Sequence, residues 1–131
     1  MSETTQMTDE KHHRELIDGL YNQMKQIMES SQQPIFIYLD DNHKFCNKKF
    51  ASFLGYSTPD EWANIKGFLE VYVAEVSRET LSAAYWSAAN NFNASTFKMV
   101  WRRKDKTTVN SNMILVPMVY SGHTFAIHFI I

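Results

Sequence analysis

Asn47-Lys48-Lys49-Phe50-Ala51-Ser52-Phe53-Leu54-Gly55-Tyr56 is the stretch that decides how the rest of the chain is read. Phe50, Phe53 and Leu54 recur at helical spacing, and Gly55 can take the left-handed conformation that stops a helix. Just upstream, Ile35-Phe36-Ile37-Tyr38-Leu39 is apolar on both faces, which predicts a strand buried on both sides. Asp41-Asn42 predicts a turn, because both side chains tolerate turn geometry and bond nearby backbone. His43 to Cys46 then returns as a short strand. Just downstream, Thr58-Pro59-Asp60-Glu61 opens a second helix, with a hydroxyl cap, proline at the first helical position and glutamate at the third.

Working outward, Phe68, Leu69, Tyr72 and Val73 predict short helical turns. Ser77 to Asn90 is a longer helix with Leu81, Tyr85 and Ala88/Ala89 on one side, and its alanines allow close approach to a sheet. The last third changes period. Phe97, Met99 and Trp101 alternate with Lys98, Val100 and Arg102, and Val109, Ser111, Met113 and Leu115 alternate with Asn110, Asn112, Ile114 and Val116. Phe125, Ile127 and Phe129 alternate with Thr124, Ala126 and His128, so three strands follow, turned at Lys104-Asp105-Lys106 and Ser121-Gly122-His123. At the other end, residues 1–7 read as a loose tail. Thr8, followed by Asp9 and Glu10, opens an amphipathic helix over 8–31. Ile17, Leu20, Met24 and Ile27 form its apolar seam, widened by Leu16, Tyr21 and Met28, and Ser30 to Pro34 ends it. Helix, two strands, short helices and three strands give an α+β class with one antiparallel sheet.

The 131 residues suit one domain, and a net charge of −1 provides no electrostatic footprint for nucleic acid. A single cysteine permits no internal disulfide and suits a reducing cytoplasm. The longest apolar run, Met113 to Val119, is broken by Pro117 and too short to span a bilayer, and the polar start Met1-Ser2-Glu3-Thr4-Thr5 is no signal peptide. No membrane contact is expected.

In order and spacing, Asn47 at the helix entry, the Gly55-Tyr56-Ser57 turn and the Arg102-Arg103-Lys104-Asp105 hairpin resemble a PAS domain, a small sensor and dimerisation module, over residues 33–131. The resemblance implies a five-stranded antiparallel sheet of order 2-1-5-4-3. Short helices would cover one face, and an N-terminal helix or a second subunit the other. It also implies a ligand cavity between sheet and helices. Two features depart from the family. Lys106 stands where it usually has glycine, and Phe129-Ile130-Ile131 lacks the Asp-Ile-Thr link to an effector, so any effector is expected in trans.

For that cavity the sequence nominates Phe53, Phe68, Tyr72, Tyr85 and Trp86 from the helices, facing Met99, Trp101, Met113 and Phe125 from the sheet. Ser111, Asn90, Asn110 and Asn112 are its candidate polar groups; the competing reading is a core filled by the same aromatics. Haem needs an imidazole in the cavity, but the long helix has no histidine, and His128 reads as a partly buried residue on the sheet's outer face. Cys46 precedes Asn47 rather than lying in the Asn-Cys-Arg-like motif of flavin light sensors, and reads as a small buried hydrophobe. Neither haem nor a cysteinyl-flavin adduct is expected, and any cofactor is left unknown. The Ile17/Leu20/Met24/Ile27 seam is assigned to a homodimer, with packing on the chain's own sheet as the alternative.

Catalysis finds no motif. Asp40-Asp41 reads as a solvated turn, Asp60-Glu61 as helix capping and His12-His13 as surface, so no enzyme and no metal site are expected. The expected function is a cytoplasmic PAS-type sensory or protein-interaction module of signal transduction or transcriptional regulation, with a possible small ligand. Two alternatives stand. One is a cone-like isomerase or dehydratase using His128, Glu70 or Glu75, and the other is a ligand-free dimerisation scaffold.

Overall fold

The structure is a computed structural model that describes residues 3–131, with side chains from Glu10 onward, so the expected tail over residues 1–7 lies partly outside the described residues. The elements run α1 (Glu3–Ser30), β1 (Ile35–Asp40), β2 (His43–Cys46), α2 (Lys48–Phe53), α3 (Pro59–Ala63), α4 (Phe68–Tyr72), α5 (Glu75–Asn91), β3 (Ser95–Arg102), β4 (Thr108–Tyr120) and β5 (His123–Ile130). The strands form one antiparallel sheet of order β2-β1-β5-β4-β3, as the resemblance implies. Helix α1 begins ahead of Thr8, and α5 two residues ahead of Ser77.

Each face of the sheet has its own core. On the inner face, Phe36, Phe50, Trp62, Tyr72, Met99, Trp101, Met113 and Leu115 pack beneath α2 to α5. On the outer face, Leu16, Ile17, Leu20 and Met28 of α1 cover Ile35, Ile37, Phe45, Phe125 and Ile127. This is why β1 carries no polar face. Its odd residues meet α1 and Phe36 meets the opposite helices. Gly19 is part of that fit, because a Cβ there would lie 2.6 Å from the Tyr120 hydroxyl.

The covered stripe of α1 takes in Ile17, Leu20 and Met24 of the expected seam but not Ile27. Leu16, Leu20 and Met28 lie inward at a four-residue spacing with Met24 half-buried beside them, whereas Ile27 is 60% exposed. A helix lying on a sheet follows its own 3.6-residue stripe, not the 3.5-residue repeat of a coiled coil, so the seam's last member turns out to solvent.

The turns follow local chemistry. Ser121 (φ 52°) and Gly122 (φ 80°) make the two-residue hairpin between β4 and β5. Between β3 and β4, Asp105 caps the turn by accepting from Thr107 N–H, and Lys106 adopts φ 72°. A side chain in this region costs about 1–2 kcal/mol, so Lys106→Gly should stabilise the fold by about 1 kcal/mol after glycine's own entropy cost. An unchanged or lower urea midpoint would contradict that.

Pro117 sits inside β4 without breaking it. Asn112 exchanges both backbone bonds with Ile131, so even-numbered residues of β4 bond toward β5 and odd-numbered ones toward β3. The β3 pairing ends at Ser95–Leu115, leaving Pro117 past the end of β3, where no ladder bond needs its missing N–H.

Candidate functional site

A cavity of about 80 Å³ opens on the inner face between sheet and α5, lined by Phe36, Tyr38, Phe68, Leu69, Leu81, Ser82, Tyr85 and His128. His128 is 2% exposed and stacks on Phe36 with ring centroids 3.9 Å apart and planes 6° from parallel. Its Nδ1 is buried with no hydrogen-bond partner. Burial pushes the imidazole down to about 3, against a smaller opposing pull from the Phe36 and Ala126 backbone, so the ring is neutral at physiological pH. Tyr85 donates its hydroxyl to Leu39 O at 3.0 Å and packs edge-on against Tyr38. Burial raises both phenols, helped at Tyr38 by Tyr85, Asp41 and Asp40, and at Tyr85 by Asp40.

Of the expected lining residues, only Phe68 and Tyr85 reach this cavity. Tyr72, Met99, Trp101 and Met113 are on the correct face but fully buried in the packed core, and Phe53 packs against its margin. Ser111 accepts the Trp101 indole N–H at 2.9 Å. Two positions are corrected. Trp86 is 59% exposed on the outward side of α5, and Phe125 lies on the outer face under α1. His128 is the counterpart correction, because it is fully buried on the inner face and not partly buried on the outer one. Both faces of β5 are covered, so its alternation does not say which face is inside, and a one-residue shift of phase exchanges the two sets. Asn90, Asn110 and Asn112 are exposed, as are Glu70 and Glu75, leaving His128 as the one cavity residue among the three groups the isomerase alternative needs.

Asn47 is the structural hub of the domain. Its Oδ1 accepts from Ile35 N and Phe50 N, and its Nδ2 donates to Met28 O and Gln33 O. One buried amide thus ties the end of α1, the start of β1 and the N-terminus of α2. Cys46 beside it is buried, and burial pushes its thiol up, as for an inert core cysteine.

The β1–β2 turn is more structured than a solvated tip. Asp41 accepts from Gly67 N and Phe68 N at 2.7 and 3.0 Å, which caps α4. Burial tends to raise its carboxyl, but those bonds and the Lys44 and Lys66 charges bring it below the usual carboxylate range. Lys44 buries its whole side chain, donates to Asp41 O and Ile65 O, and lies 5.6 Å from the Trp62 ring centroid. Burial lowers its ammonium, with Asp41 opposing. No sequence pattern marks this lysine. On the α1 side of the same turn, Asp40 lies between two imidazoles, 3.1 Å from His13 Nδ1 and 2.7 Å from His43 Nδ1.

Among known proteins, a family model described as PAS domain matches residues 22–90. A search of curated proteins gives no match. A PAS domain of a two-component sensor histidine kinase is similar with a TM-score of 0.64 at 15% identity, over 87% of this chain and 96% of that one. The PAS domain of an HTR-like protein from Haloarcula marismortui is similar at TM-score 0.62 and 14% identity, covering 92% and 98% of the two chains. PAS-B of Cycle from Drosophila melanogaster, with bound ethylene glycol, is similar at TM-score 0.60 and 14% identity over 72% and 94%.

Proposed function

The chain belongs to the PAS domain family, and on that premise we propose that it is a sensory or protein-interaction module of signal transduction that takes a small guest beside His128. Its fold is the one sensory modules of this family use. The supporting observation is the apolar cavity lined by His128, whose buried Nδ1 is unpartnered. A neutral ring with one unsatisfied nitrogen favours a guest with one polar group and a compact apolar body. At about 80 Å³ the space exceeds the ~10–15 Å³ one water needs and falls well short of the ~300–1,000 Å³ of drug-sized sites. The guest is therefore a metabolite of few heavy atoms, not a haem or flavin.

The route outward is one strand thick. His128 faces the cavity while its neighbour Ile127 packs beneath α1. A guest that favours one position of β5 would bias how α1 rests on the sheet, by no more than its differential affinity for the two arrangements. The module then passes the shift to a second copy or to an effector in trans. Ile27, exposed on α1, is available for the homodimer contact. No helix among the described residues is long and apolar enough to cross a membrane, which accords with the cytoplasmic setting we assign.

Native mass spectrometry of the purified chain, with small-molecule fragments screened against backbone amide shifts, tests this reading. We expect extra mass that denaturation removes, or fragment shifts centred on His128 and Ile127, and the same spectrum reports dimerisation. Ser82 is exposed at the cavity rim, so Ser82→Phe should weaken fragment binding more than tenfold while stability stays within about 0.5 kcal/mol. Apo mass with no shifts at His128, or binding indifferent to Ser82→Phe, would exclude the cavity as the sensing site.

A further inference from the structure

We propose that His13, Asp40 and His43 form a site for one divalent transition-metal ion of the zinc class, which fastens α1 to the β1–β2 turn. One ligand atom from each of the three lies within 4.8 Å of the others. Asp40 bridges the pair, with Oδ2 3.1 Å from His13 Nδ1 and Oδ1 2.7 Å from His43 Nδ1. An ion held at about 2.0–2.2 Å by nitrogen and oxygen in tetrahedral geometry spaces its ligands about 3.3 Å apart. With every pair of ligand atoms within 4.8 Å, the three groups need to draw in by up to about 1.5 Å to close on an ion between them.

The surroundings of His43 point to the same ion. Its side chain is 2% exposed, yet a carboxylate oxygen stands near each ring nitrogen, Asp40 at Nδ1 and Glu10 at Nε2, the latter 2.8 Å away. The Glu10 contact is close but not aligned as a hydrogen bond, so Nε2 has no properly directed partner. A neutral imidazole has one N–H for two such contacts. A cation at Nδ1 completes the arrangement. It replaces the proton shared with Asp40 and leaves Nε2–H to swing onto Glu10, the outer carboxylate partner that metal-bound histidines commonly have.

The sequence gathers imidazole at this corner and nowhere else. Four of the five histidines in the chain meet here, with the His12 and His123 rings 4.9 Å apart and His13 and His43 5.5 Å apart. The β1–β2 register slips between Tyr38 and Asp40, the kind of bulge that re-aims a side chain. Two imidazoles and one carboxylate select a borderline ion such as Zn²⁺, Ni²⁺ or Co²⁺ over Ca²⁺ or Mg²⁺, which take oxygen. His13 and Asp40 are about one-third exposed, so a water can fill the fourth position.

Titration calorimetry of the untagged full chain with Zn²⁺ near neutral pH tests this, alongside Co²⁺ absorption spectra and melting curves. We expect one ion per chain, a visible Co²⁺ ligand-field band and a melting temperature that rises with metal concentration. His13→Ala and Asp40→Asn should each abolish stoichiometric binding, and Glu10→Gln should weaken it about 10- to 100-fold. The double change His12→Ala/His123→Ala should leave it intact. Because buried His43 also serves packing, His13→Ala at a one-third-exposed position and the isosteric Asp40→Asn are the deciding variants. Absence of heat, Co²⁺ band and melting shift at millimolar metal would overturn the site. Binding that survives His13→Ala but disappears with His12→Ala/His123→Ala would overturn it equally, as adventitious capture by surface imidazoles.

Discussion

Asn47→Ala lowers the free energy of unfolding by about 3 kcal/mol or more, the largest loss expected from any single polar side chain here. The amide is 5% exposed and makes four bonds of 2.8–3.2 Å, two accepted and two donated. Loss of the helix cap to Phe50 N alone costs about 0.5–2 kcal/mol. Truncation also strands Ile35 N, and the Met28 and Gln33 carbonyls lose a donor, each at about 1 kcal/mol where water cannot replace the bond. Asn47→Asp should fare no better. It keeps the acceptor oxygen but turns a donor into a second acceptor facing two carbonyls. Asn47→Ser should recover the cap and little else. Urea denaturation at constant m value measures all three, and a loss below about 1 kcal/mol for Asn47→Ala would mean the hub is energetically idle.

The second large effect is on acid stability. The folded imidazole of His128 titrates near 3, while in the unfolded chain it titrates near its ordinary 6.5. Below 6.5 the unfolded chain binds a proton that the folded chain refuses. The stability is therefore fully present above 6.5 and is lost as pH falls toward 3. The slope is about 1.4 kcal/mol per pH unit, for a total on the order of 4–5 kcal/mol. The titratable groups that share the cavity, Tyr38 and Tyr85, are phenols pushed upward, so they stay neutral throughout that window and do not offset the loss. His128→Phe keeps the stack on Phe36 and removes the titration. The stability difference between the two proteins should shrink, or reverse, as pH drops from 6.5 to 4. Parallel pH profiles would show instead that His128 is protonated in the fold at little cost.

Much of the architecture is legible in the sequence because local chemistry and tertiary demand agree. Thr58 caps the helix it is expected to cap, Asn47 stands at the entry to α2 as the resemblance implies, Gly55 takes φ 86° after α2, and the apolar run Ile35 to Leu39 is a strand with cores on both sides. The failures have a common physical origin. Period-two alternation reports which residues share a face, but not which face is inside when helices cover both, and this misplaces Phe125 and His128. Hydrophobicity alone assigns Trp86 inward, although Leu81, Ala84 and Ala88 form the buried stripe of α5. The corner of His13, Asp40 and His43 is invisible in the sequence for another reason. Its members are 27 residues apart or fall at a strand turn, with no ligand spacing, and only the docking of α1 brings them together.

Pro117 has a bearing on how the molecule behaves in a crowded solution. Where β4 outruns β3, the backbone at 117 and 119 has no strand opposite; Pro117 is buried, and Val119 is exposed. Such an overhang is a template on which a foreign segment can be laid down, rung by rung, in the manner of fibril growth. The exposed Val119 makes this stretch stickier still. With a buried proline that has no N–H at one of the two positions, an incoming strand finds one of the two rungs missing. The fold thus carries a stopper at this overhang, and the sheet's remaining edges, β2 and β3, are where any strand-to-strand contact between copies has to form.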